Sequence, residues 1–263
     1  MEKDNEPIIL GAQLYSVRNL FSSDEETEHT LKALKEMGYE SVQVSGFQFD
    51  AEKISDYTKK LGLSVGLTHT PIPEIIENTD EVIKKHKILN APMVGVGAPV
   101  GYMEDGIIDI ERFMAEIQDA VKKIQDAGLL FGYHNHYFEF KDLGGFNAMD
   151  VFIEQTDWNF ILDTGWAYVT DVDCPALIKR LHSRMPYIHL KDFKKIVGDD
   201  GKTYSTICSV GEGFVDFESM LAPMKESGTL AVYVEQDNAA DKPDPLGEMK
   251  KSYEYIKEKR WFK

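Results

Sequence analysis

Eight short apolar runs, spread along 263 residues and separated by amphipathic stretches, constrain this chain more than any single motif. They are "IILGAQLY" at 8–15, "YESVQVS" at 39–45, "LSVGLTH" at 63–69, "APMVGVG" at 91–97, "LLFGYHNH" at 129–136, "NFILD" at 159–163, "PYIHLKD" at 186–192 and "AVYVEQD" at 231–237. Between them, apolar residues return every three or four positions over 25–37, 51–61, 75–89, 108–127, 174–181, 217–224 and 246–258, the spacing of helices that bury one face. Gly38, Gly62 and Gly128 follow three of these patterns, where a left-handed residue commonly ends a helix. The stretch "KDLGGFNAMDVFIEQTD" is the weakest helix pattern. One apolar run reads equally well as helix or strand, but eight alternations predict a parallel sheet joined by crossover helices. The expected fold is α/β, a single (β/α)8 TIM barrel, with residues 1–263 forming one domain.

Such a barrel brings the C-terminal ends of all strands to one mouth, where catalytic loops gather. The unusual polar residues fall there: Gln13, His69, His134, His136, Glu139, Asp163, His189, Lys191 and Glu235. In "FGYHNHYFEF" (131–140), His134 and His136 project to the same side of a period-two strand. That pair reads as a metal site, an acid/base pair or a strand end facing water. Each of the others also has a plainer role. Asp163, before Thr164 and Gly165, suits the start of an Asx turn, and an isolated His189 suits a satisfied structural position. A buried, unpaired Glu235 would be costly, which favours a metal or an ion pair there. Lys191 reads as a polarising cation or as a solvated strand end. Four consecutive strands ending in carboxylates or imidazoles point to a shared ligand.

The formal charge of −16 disfavours a nucleic-acid or anionic-membrane partner, since both need a concentrated basic surface. Cys174 and Cys208 are too few and too far apart for a disulfide framework or thiolate cluster, in keeping with a reducing compartment. No run of 18 apolar residues occurs. A cytoplasmic location is expected, with export left open should a segment precede Met1. The "VGEG" stretch at 210–213 lacks the spacing of a dinucleotide fingerprint and the Lys-Ser/Thr pair of a P-loop.

In order along the chain, "LGAQLYSVR" (10–18), "GYHNHYFEF" (132–140), "LDTGW" (162–166), "HLKD" (189–192), "GEG" (211–213) and "YVEQD" (233–237) together resemble the sugar phosphate isomerase/epimerase family, with its xylose-isomerase-like TIM barrel. The resemblance spans essentially the whole chain. It implies one divalent metal ion at the mouth, with Mn, Zn, Co, Fe and Mg not distinguished, held by Asp163, His189, Glu235 and a ligand from the fifth strand. Relatives with a clear epimerase activity usually carry a glutamate where His134 stands. Glu139 is therefore expected as the fourth ligand, with His134 and His136 as alternative ligand, supporting group or substrate contact. Glu139 and Glu235 are the expected acid/base pair, Lys191 a polarising group, and Gln13, Arg18, His69 and Trp166 substrate contacts. The implied activity is metal-dependent isomerisation or epimerisation of a small sugar through an enediolate-type intermediate. Alternatives are a metal-dependent lyase or dehydratase acting on a keto-sugar, keto-glycoside or inosose, and a non-catalytic sugar-binding protein. The implied partner is a small carbohydrate, and assembly of identical chains is left open.

Overall fold

The computed structural model describes residues 7–262. Eight parallel strands close into a barrel: Ile9–Gln13, Ser41–Val44, Ser64–His69, Met93–Val96, Leu130–His134, Asn159–Asp163, Tyr187–Leu190 and Ala231–Val234. The eighth pairs with the first, Ile9 lying opposite Ala231. All eight coincide with apolar runs of the sequence. The helices follow the predicted crossovers, with two departures. The pattern over 75–89 is two helices, Ile72–Glu77 and Thr79–Leu89, separated at Asn78, whose backbone leaves the helical region. The long fourth helix begins at Ile110, because Ile107–Ile108 pairs with Met103–Glu104 in a small hairpin. The weakest pattern does form a helix, Ala148–Gln155, with Asn147 accepting from the Asp150 amide at 2.9 Å as its cap.

Strand periodicity divides the barrel interior into layers. Leu67, Met93, Ile161, Tyr187, Ala231 and Tyr233 form a buried apolar plug. Glycines make room for it: a Cβ at Gly66 would lie 1.9 Å from the Tyr233 hydroxyl, and one at Gly11 would lie 2.5 Å from its ring. Two residues further along, on the same inward side, come His69, Asp163, His189 and Glu235. Gln13 and His134 stand two residues beyond the inward-facing Gly11 and Gly132. The plug is thus the floor of a polar layer at the mouth.

An antiparallel hairpin absent from the expected elements, Asp192–Val197 with Thr203–Cys208, rises directly from the seventh strand. Asp192 fixes its base by accepting from the amides of Phe193, Gly211, Gly213 and Val215 at 2.8–3.1 Å. The "GEG" stretch is explained here. A Cβ at Gly213 would meet Asp192 Oδ1 at 2.1 Å, and Gly211 has φ +95°.

Outside the barrel, His86 of the helix Thr79–Leu89 is buried between the Val82 carbonyl (2.7 Å) and the Thr68 hydroxyl (2.8 Å). Burial holds its imidazole neutral, lowering its pKa from about 6.5 to about 4. Below pH 6.5 the unfolded chain takes up a proton that the folded chain refuses, so this group's contribution is lost as pH falls from 6.5 to 4. The loss reaches about 3 kcal/mol. In urea melts, the stability advantage of the native chain over His86→Gln should shrink by that order across this window; a constant difference would refute it.

Candidate metal centre

His134, Asp163, His189 and Glu235 close the polar layer. One ligand atom from each lies within 4.8 Å of every other, and all four residues are buried. They come from strands five to eight, so the barrel itself sets their spacing. Each is oriented by a specific neighbour. Asp163 Oδ1 accepts from the Trp166 amide at 2.8 Å and caps the short helix Thr164–Tyr168, leaving Oδ2 directed at the cluster. The turn-forming and ligand readings of Asp163 therefore both hold, one for each oxygen. Asn135 grips the Asp163 backbone at two points, accepting from its N–H at 2.9 Å and donating to its carbonyl at 3.2 Å. Gln13 Nε2 donates to Glu235 Oε1 at 2.9 Å, and Gln43 Oε1 accepts from His189 Nε2 at 2.6 Å. His134 Nδ1 donates to the Gly97 carbonyl at 3.0 Å.

These contacts use one polar atom of each ligand residue and leave the other aimed inward. His134 Nε2, Asp163 Oδ2, His189 Nδ1 and Glu235 Oε2 have no hydrogen-bond partner among the described residues. With its other nitrogen donating, each imidazole presents a lone pair to carboxylate oxygens: His189 Nδ1 to Glu235 Oε2 at 2.6 Å, and His134 Nε2 to Asp163 Oδ2 at 3.4 Å. Lys191 pairs with the two carboxylate oxygens, at 3.0 and 3.3 Å, but the two imidazole nitrogens converging on the same oxygens are lone-pair donors that a cation held by all four residues would satisfy together. Two imidazoles and two carboxylates form a metal-binding cluster suited to one divalent ion. Without such an ion, burial opposes the charged form of His134, but Asp163 and Glu235 outweigh it and raise its pKa to about 9.

The expected fourth ligand is thereby corrected. His134 occupies the corner assigned to Glu139, whose carboxylate is turned away into a fully buried pocket. Glu139 accepts from the Tyr133 hydroxyl at 2.6 Å and from the His136 amide at 2.7 Å. Burial raises its pKa to about 7 in spite of those bonds. The loop after the fifth strand folds back on itself, so Glu139, five positions past the strand, does not reach the mouth.

Lys191 is fully buried. Its ammonium lies 3.0 Å from Asp163 Oδ2, 3.3 Å from Glu235 Oε2 and 2.8 Å from Asp237 Oδ2. Burial alone would lower its pKa, but these carboxylates hold the amine protonated. Asp237 was not singled out in the sequence, although it closes the "YVEQD" motif two residues beyond Glu235. His69 adjoins the cluster, its ring 4.9 Å from that of His134 and 5.4 Å from that of His189. Burial and the neighbouring imidazoles keep it neutral, and its Nε2 has no partner among the described residues. Trp166 forms a wall beside His136 and beneath Lys191, at 5.8 Å and 5.1 Å. Burial also keeps His136 neutral, with a pKa of about 3. Gln13 serves Glu235 directly. Arg18 donates to the carbonyls of Tyr15 and Asp237 at 2.9 and 2.8 Å, so its guanidinium braces the loop around Asp237.

A family model described as xylose isomerase-like TIM barrel matches residues 31–259. The chain belongs to this family. Among curated relatives, inosose dehydratase of Salmonella typhimurium is 29% identical over 56% of this chain and 53% of that protein. Inosose dehydratase of Halalkalibacterium halodurans is 23% identical over 88% of this chain and 86% of that protein. The match to the Salmonella enzyme spans about half of its length. A sugar phosphate isomerase/epimerase from Parabacteroides distasonis has the same fold, with a TM-score of 0.78 at 21% identity over 100% of this chain and 98% of that one. The cluster is typical of catalytic barrels, and among the described residues no helix is long and apolar enough to cross a membrane.

Proposed function

We propose that this chain is a metal-dependent lyase that removes a β-oxygen substituent, water in the simplest case, from a keto-sugar or keto-cyclitol. The observation that carries this reading is the imidazole at the fifth-strand corner. Epimerisation takes a proton from one face of a carbon and returns one to the other, which calls for acid/base groups on both faces. With His134 in the cluster and Glu139 turned away, Glu235 is the one glutamate of that cluster, and its Oε1 is held by Gln13. A β-elimination on a single face needs only one mobile group. His69 suits that role, with an unpartnered nitrogen beside the cluster. The recurrence of inosose dehydratases among the curated relatives supports the same choice.

A divalent ion held by His134, Asp163, His189 and Glu235 would polarise the substrate carbonyl and acidify the adjacent C–H. His69 Nε2 takes the α-proton, and a double bond forms as the β C–O bond breaks. The departing oxygen keeps that electron pair and receives a proton, so the products are an enone and water. Lys191 balances the charge of the carboxylates, and Trp166 covers the apolar face of the ring.

The test is incubation of metal-loaded protein with inososes and keto-sugars in deuterated water, followed by NMR and ultraviolet absorbance. An unsaturated ketone is expected, and His69→Ala should slow its appearance by about 10²–10⁴-fold at unchanged metal content. An epimer deuterated at the α-carbon, with no loss of water, would return the chain to the epimerases.

A further inference from the structure

Next to the metal cluster lies a cavity of about 660 Å³, of whose lining the preceding chemistry uses His69 alone. It opens between the loop after the second strand, with Phe47, Gln48 and Phe49, and the segment after the third, with His69, Thr70 and Glu74. His69 belongs to both spaces. Its ring is the partition between the cavity and the imidazoles of the cluster. None of the four cluster residues lines the cavity, which is larger than a substituent such as a hydroxymethyl group requires.

The lining specifies a ligand chemistry. Phe47 and Phe49 are half-buried, meet edge to face at 6.1 Å, and offer apolar surface to a ring. Phe47 is braced from behind by Phe21, stacked at 4.0 Å, so the wall is firm. Ser45, Gln48 and Thr70 supply neutral polar groups. The one lysine of the lining, Lys85, is paired with Glu74 at 2.6 Å, and His86 is neutral, committed to Thr68 and Val82. No unpaired cation in the lining awaits a phosphate. Aromatic surface with neutral polar groups, and no free charge, is how proteins accommodate an uncharged ring.

We infer that this cavity is a subsite for an uncharged second ring, joined through oxygen to the keto-sugar that reacts at the metal. The inference rests on the lyase reading and sharpens it: the substrate is a keto-glycoside, and the group eliminated is its aglycone. The leaving oxygen must be β to the carbonyl. The ketone therefore stands two carbons from the anomeric carbon, and the α-proton comes from the carbon between. His69 takes that proton, the double bond forms toward the anomeric carbon, and the glycosidic C–O bond breaks. The aglycone keeps the electron pair and leaves as an alcohol or phenol once protonated, with no external oxidant or reductant.

The subsite is tested by binding, apart from turnover. Phenyl and methyl glucosides of both anomeric configurations have no ketone and cannot eliminate, so calorimetry on metal-loaded protein reads recognition alone. A phenyl glucoside is expected to bind on the order of tenfold more tightly than the methyl glucoside of the same configuration. Phe47→Ala, and separately Phe49→Ala, should reduce that ratio while metal content is retained; glucose 6-phosphate should gain nothing over methyl glucoside. Equal affinities for phenyl and methyl glucosides, or tightest binding of the phosphate, would overturn the subsite, even if an inosose were dehydrated. A phenyl preference without release of phenol from the corresponding 3-keto glucoside would uphold the subsite and reject the lyase.

Discussion

His134→Ala should purify as a folded barrel that no longer retains a divalent ion, whereas Glu139→Gln should retain it with native affinity. Imidazole Nε2 of His134 is one of the four cluster atoms with no hydrogen-bond partner among the described residues, while both oxygens of Glu139 are engaged by Tyr133 and His136. Loss of a direct ligand should weaken binding by more than the roughly 10–100-fold typical of groups that only orient ligands. Competition against a chromophoric chelator measures both variants on one scale. Glu139→Gln has a second signature. Between pH 4.5 and 7, the folded chain keeps the Glu139 proton that the unfolded chain releases, so the native protein loses up to about 3 kcal/mol as pH rises through this window. The amide does not titrate and should be spared that loss. If Glu139→Gln sheds the metal and His134→Ala keeps it, the fourth ligand has been misassigned.

Lys191→Met should make the folded state depend on metal. Asp163, Glu235 and Asp237 all lie within 3.3 Å of the Lys191 ammonium, and removing one partner of a buried ion pair costs about 3–5 kcal/mol. In chelator, thermal unfolding of Lys191→Met should fall far below that of the native chain; saturating metal, binding two of the same carboxylates, should recover most of the difference. A variant as stable as the native chain in chelator would mean that Lys191 is not the counter-ion of the cluster.

These expectations mark where the sequence was legible. The barrel was readable because each strand is an apolar run and each crossover carries helical spacing, signals that stay local. Asp163, His189 and Glu235 were readable because period-two alternation carries the inward phase of each strand to its end. Glu139 misled because it lies five residues beyond its strand, where the backbone has left that alternation and turns into the short helix Phe138–Phe140. Asn135 and Asp237 act through partners distant in sequence, Asp163 and Lys191, which no local pattern connects to them. The hairpin after the seventh strand does have a local signal, "GDDG" between two alternating runs, but the charged residues on its strands obscure it.

The four-amide grip of Asp192 separates what lies on either side of it. One residue before it, Lys191 is locked among buried carboxylates; beyond it, the hairpin returns to the barrel through amides that close on the same carboxylate. The two ends of this excursion are thus stapled together independently of whatever spans them. Lengthening, trimming or exchanging the turn between Val197 and Thr203 costs little closure entropy and transmits little strain to the mouth. The fold therefore carries an exchangeable cassette beside its chemical centre, through which descendants of this chain can acquire new cover or new partners while the cluster beneath stays as it is.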